Sequence, residues 1–189
     1  MATRILGIDP GLTRCGVGII DLDRSRKVTL VNVDVFRSSP DQPLAERIGE
    51  LGEQIDALIL QFKPQVMAIE RVYADVNVRS VMGTAQISGV AMMLAYRHKI
   101  PVVMHTPTEV KAAVTGSGRA NKDQVGRMVA KILGLEEIPK PADAADSLAI
   151  AICHGWRSFG AALPQASGAT AAQRAWHAAE RAASASRER

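Results

Sequence analysis

The sequence predicts an α/β fold, with a mixed five-stranded sheet whose first three strands are antiparallel and with helices on both faces. Two patterns predict it. The N-terminal part carries three apolar or β-branched runs joined by short polar turns, as a meander does. From residue 44 onward, short apolar runs alternate with long stretches of helical periodicity, which makes the later strands helix-linked.

The first run, Ile5-Leu6-Gly7-Ile8, ends in Asp9-Pro10-Gly11. Gly7 leaves room for close backbone approach, and Pro10-Gly11 turns the chain. Gly16 to Asp21 is the second strand, and Val28 to Phe36 the third. Leu44, Ile48, Leu51, Ile55, Leu58 and Ile59 recur at three- and four-residue spacings, predicting an amphipathic helix that Lys63-Pro64 ends. Val66-Met67-Ala68-Ile69 is a fourth strand and finishes, like the first, in an acid, Glu70. Arg79 to Lys99 reads as a helix rich in Gly, Ala and Met, apolar on most sides and suited to a core or a subunit interface. Ile100 to Met104 is the fifth strand, and Thr106-Pro107-Thr108-Glu109 opens a helix. Gly116 to Lys122 reads as a flexible basic loop, not a P-loop, and precedes a helix to about Leu133. The last core helix runs from about Ala142 to Trp156. Residues 1–157 are therefore expected to form one domain, and the Ala/Arg-rich 158–189 a flexible tail.

Composition narrows the function. With 47% hydrophobic and 22% charged residues in 189, the chain can bury a real core. No apolar run approaches the ~18–20 residues of a membrane span, and the N-terminus has no signal-like core, so a cytoplasmic protein is expected. Cys15 and Cys153 have no metal-ligand spacing and read as reduced thiols. Net charge is −2 over residues 1–70, +6 over 71–131, −3 over 132–156 and +3 over 157–189. A basic middle between acidic flanks suits metal ions held beside a polyanion.

The acids carry the chemistry. Asp9 and Glu70 each end a strand of one sheet, which can set them side by side. Asp143 and Asp146, three residues apart, share one face at the start of the last helix. An acid there also suits the helix dipole, but Asp146 precedes the apolar Leu148-Ala149-Ile150 run. Clustered carboxylates repel one another unless a cation binds them. An all-oxygen set favours Mg²⁺ or Mn²⁺ over zinc, and two such ions ~3.5–4 Å apart can drive phosphodiester cleavage.

The stretches GIDPGLTRCG, AIERVYADVN, MGTAQISGV, TEVKAAVTGSGRANKDQV and PADAADSLAIAICH resemble RuvC-type Holliday junction resolvases, of the RNase H-like nuclease superfamily. They cover roughly residues 4–156 in the family's order. The resemblance implies an RNase H-like fold, with Asp9, Glu70, Asp143 and Asp146 as catalytic, metal-binding acids. These would hold Mg²⁺, two ions per subunit with Mn²⁺ able to substitute; Asp143 stands where some relatives have His. Lys111 and Lys122 match family lysines near the scissile strand. Tyr73 stands where the family usually has Phe and would stack on an unpaired base. Arg71, Arg79 and Arg119 are candidate DNA-backbone contacts. The resemblance further implies a homodimer with the 79–99 helix at its interface, four-way junction DNA as substrate, and the RuvA–RuvB branch-migration complex as partner. Three competing readings are an RNase H-like nuclease of RNA or other branched DNA, half of an actin-like ATPase, and a non-catalytic junction binder. The ATPase lacks its second domain, and a pure binder gains nothing from acids beside phosphates.

Overall fold

The structure, a computed structural model, describes residues 2–71 and 78–162; the side chains of 78–80 and 159–162 are not described. Tyr73 and residues 163–189 of the expected tail lie outside the described residues. Three strands come first, β1 (Thr3–Asp9), β2 (Arg14–Leu22) and β3 (Val28–Arg37). Helix α1 (Leu44–Phe62), strand β4 (Val66–Glu70), helix α2 (Val78–Arg97) and strand β5 (Val102–His105) follow. Helices α3 (Pro107–Thr115), α4 (Lys122–Leu133) and α5 (Ala142–Ala162) complete the order. The strands form one five-stranded sheet in the order β3-β2-β1-β4-β5. β1–β2 and β2–β3 pair antiparallel, β1–β4 and β4–β5 parallel, as the meander and the helical crossovers require. This is the mixed α/β sheet the sequence predicts.

Strand alternation divides the core. Leu6, Ile8, Val17, Ile19, Met67 and Ile69 point to one face and are buried with Leu51, Ile55 and Leu58 of α1 and Ile87, Ala91 and Leu94 of α2. The other face carries α5, and glycine lets it come close. A Cβ on Gly7 would overlap the Ser147 carbonyl and the backbone of Ala151, and one on Gly16 the Asp143 carbonyl. Gly7 stands opposite Gly18, and Asp9 opposite Gly16, so the first turn of α5 rests on bare backbone beside Asp9.

Local signals fix the helix starts. α3 opens with a capping box between Thr106 and Glu109, and α4 with one between Asn121 and Gln124. The second makes Lys122 the first residue of α4, where the sequence suggested the end of a loop. α5 continues past Trp156 to Ala162.

Candidate active site

Register brings the acids together. Ile8 pairs with Ile69 across parallel strands, so Asp9 and Glu70 follow one another off the adjacent ends of β1 and β4. Gly7 stands beside Ala68, so the odd positions of β1 and the even ones of β4 share the α5 face. Asp146 comes down onto the same place from the first turns of α5. Asp9, Glu70 and Asp146 line one cleft of about 260 Å³ with Lys111, Lys122, Pro107, Val110, Val125 and Ile150.

The electrostatics are those of crowded anions. Burial, reinforced by the charges of Glu70, Asp146 and Asp143, pushes the Asp9 carboxyl up to about 7, with Lys122 acting the other way. Glu70 is raised by burial and then by Asp146, against the pull of Lys122 and Lys111. Lys122 donates from Nζ to Asp146 Oδ2 at 3.0 Å, and that bond holds the ammonium above its usual range despite partial burial. A lysine at a helix N-terminus faces the positive end of the dipole, so the acids, and not α4, stabilise it there.

Asp143 sits differently. It does not line the cleft, and its Oδ2 meets Arg14 Nε at 3.1 Å across Gly16. Among the described residues, no three His, Cys, Asp or Glu side chains are placed so as to hold a metal ion as they stand. The donor chemistry nevertheless fits a hard divalent cation. The cleft offers carboxylate oxygens with no imidazole or thiolate, and the burial and mutual repulsion that raise the Asp9 carboxyl are what a bound cation would offset.

The other expected contacts scatter. Arg71 is exposed just past β4, its backbone N–H bonded to the His105 carbonyl at 2.7 Å. Arg79 lies in α2 with its side chain undescribed. Exposed Arg119 lines a separate recess between α3 and α4 with Thr115, Ser117 and Arg127. Sequence reasoning missed Arg14 and the part-buried pair His105 Nε2···His154 Nδ1, 3.2 Å apart. Burial depresses both imidazoles, His154 to about 4, and the pair joins β5 to α5 beside Glu70. The signal for the pair was faint, since neither histidine has a patterned neighbour.

Comparison with known proteins identifies the family. The family model described as crossover junction endodeoxyribonuclease RuvC matches residues 5–154. The protein of that name from Leifsonia xyli is 54% identical over 194 residues, covering 96% of this chain and 93% of its own. The one from Saccharopolyspora erythraea is 57% identical over 155 residues, covering 82% and 78%. Among solved structures, T. thermophilus RuvC in complex with a Holliday junction substrate superposes with a TM-score of 0.80 at 31% identity, covering 84% of this chain and 96% of that one. The yeast mitochondrial Holliday junction resolvase Ydc2, at 19% identity and a TM-score of 0.61 over 84% and 81% of the two chains, shares the fold. The chain belongs to the crossover junction endodeoxyribonuclease RuvC family.

Proposed function

We propose that this protein is a metal-dependent endonuclease that resolves four-way DNA junctions by paired symmetric nicks during recombination and repair. One observation carries the reading: three carboxylates from β1, β4 and α5 face a cleft whose remaining polar lining is Lys111 and Lys122. Acids alone would repel DNA, and lysines alone would only bind it.

Asp9, Glu70, Asp143 and Asp146 would hold Mg²⁺, two ions per subunit, with Mn²⁺ able to substitute. The ions would supply Lewis acidity to activate water and to neutralise charge developing on the phosphate. The chain's own part is positioning. Val110, Val125 and Ile150 wall the cleft with apolar surface, which strengthens its electrostatics. Lys111 and Lys122 hold the phosphate oxygens and offset their growing charge. Arg71, Arg79 and Arg119 steady the flanking backbone, and Tyr73 stacks on a base opened at the junction centre.

Paired nicks need two sites related by two-fold symmetry, so the active species is a homodimer. Met82, Met93 and Tyr96 of α2 are 55%, 47% and 84% exposed, an apolar face for a second copy to cover. Residues 1–157 are the nuclease domain and 158–189 a tail. Family membership supports the RuvA–RuvB complex as a partner. Cys15 and Cys153 are buried and free, which suits a reducing cytoplasm, and no described helix is long and apolar enough to cross a membrane.

The test is strand cleavage on a synthetic four-way junction, on duplex DNA and on RNA, each with and without Mg²⁺. Symmetric nicks confined to the junction and requiring the cation are expected. Preferential cutting of RNA or plain duplex, or cleavage in chelator, would overturn the reading.

A further inference from the structure

The basic segment 71–131 does not hold all the arginines near the cleft. In the β2–β3 ladder Arg14 stands directly opposite Arg37, and Gly16 opposite Val35. Gly16 is also the partner of Asp9, so pleating sends Arg14 and Arg37 out on the face that carries the acids. Like charges directly opposite on a sheet are destabilising. Both arginines are exposed, and among the described residues Arg37 makes no ion pair. Arg14 engages Asp143 through Nε, which leaves its two terminal nitrogens for another acceptor, and its side chain stays 54% exposed.

We propose that Arg14 and Arg37 clamp a backbone phosphate of the scissile strand beside the reacting one, and that Arg14 joins this phosphate to Asp143. The inference rests on the nuclease reading above. Two residues along β2 separate Arg14 from the partner of Asp9, a span of roughly 6.5–7 Å. That is about the step from one phosphate to the next along a strand. An anion between the two guanidiniums turns an unfavourable cross-strand pair into a favourable site, and guanidinium suits it because its planar fork takes phosphate in two parallel bonds. Arg14 has a second role. While its guanidinium holds Asp143, that carboxylate is partly withdrawn from any cation in the cleft.

The test compares wild type, Arg14→Gln, Arg37→Gln, the double variant and Arg14→Lys. Arg24→Gln, which removes an exposed charge from the far β2–β3 turn, serves as control. Junction affinity is measured without divalent ions across a salt series, with circular dichroism and thermal melting to check folding. Each Gln variant is expected to bind roughly three- to tenfold more weakly, with a salt slope shallower by about one; Arg24→Gln binds like wild type and Arg14→Lys recovers part of the loss. In a DNA-free Mn²⁺ titration followed by electron paramagnetic resonance, Arg14→Gln binds the ion more tightly than wild type and Arg37→Gln does not. Wild-type affinity and slope in the folded double variant, or an equal loss in Arg24→Gln, would overturn the clamp. Unchanged or weaker Mn²⁺ binding in Arg14→Gln would overturn the role at Asp143. Failure of the wild type itself to prefer or nick the junction would sink the nuclease reading instead, so the failures are separable.

Discussion

Lys122 Nζ lies 3.0 Å from Asp146 Oδ2, tying the first residue of α4 to the start of α5. The bond couples the acid side of the cleft to its lysine side. With its side chain 75% exposed, Lys122 is held by electrostatics more than by packing.

Replacing Lys122 by Gln should therefore leave the fold intact and slow nicking by roughly 10–100-fold, with junction affinity within about threefold of wild type. Because the bond to Asp146 holds its ammonium above the usual lysine range, rate–pH profiles should show no loss from its deprotonation around neutrality. Single-turnover cleavage and anisotropy titration check both points; a large affinity loss at constant rate would assign Lys122 to binding alone.

Asp146→Asn keeps shape and removes charge. Junction binding should persist while Mg²⁺-dependent nicking drops by at least roughly 10³-fold. Undiminished cleavage would remove Asp146 from the metal site.

Asp9 gives a pH signature. Its folded pKa of about 7 lies above the ordinary 3.8, so the native state holds a proton that the unfolded chain releases. That contribution to stability is complete below pH 3.8 and is lost as pH rises through about 7. Metal-free protein should thus melt lower at pH 8 than at pH 5.5 from this group, and Asp9→Asn should raise the pH 8 midpoint by roughly 3–6 °C. Scanning calorimetry in chelator reads this. In excess Mg²⁺ the advantage should vanish, because the cation then does what the proton did.

Gly7→Ala tests the seating of α5. The added methyl overlaps the Ser147 carbonyl, so the helix must move or the sheet must bend. A destabilisation of about 2–4 kcal/mol in urea unfolding is expected, with nicking impaired beyond what the remaining folded fraction explains. A neutral effect would mean the helix tolerates displacement and that its close approach does not set the acids.

Junction affinity should also fall steeply with salt, since Lys and Arg contacts to phosphate release counterions. A flat dependence, measured between 50 and 200 mM salt as roughly the range where such losses are large, would remove the basic surface from DNA binding.

Local pattern made the elements legible and singled out Asp9, Glu70, Asp143 and Asp146 as candidate ligands. Strand alternation, helical spacing and capping residues act over a few positions, so β4 was legible from Val66 to Glu70 and α1 to its end at Phe62. The acids stood out because carboxylates closing apolar runs are costly without a partner. Packing and register set which residues meet. Register set Asp9 beside Glu70 and Arg14 opposite Arg37, while bare backbone at Gly7 and Gly16 let α5 bring Asp146 into the cleft and left Asp143 to Arg14. These pairings join residues far apart in the chain. They depend on packing distances that no local pattern encodes, which is why Arg14 and the His105–His154 pair emerged only from the fold.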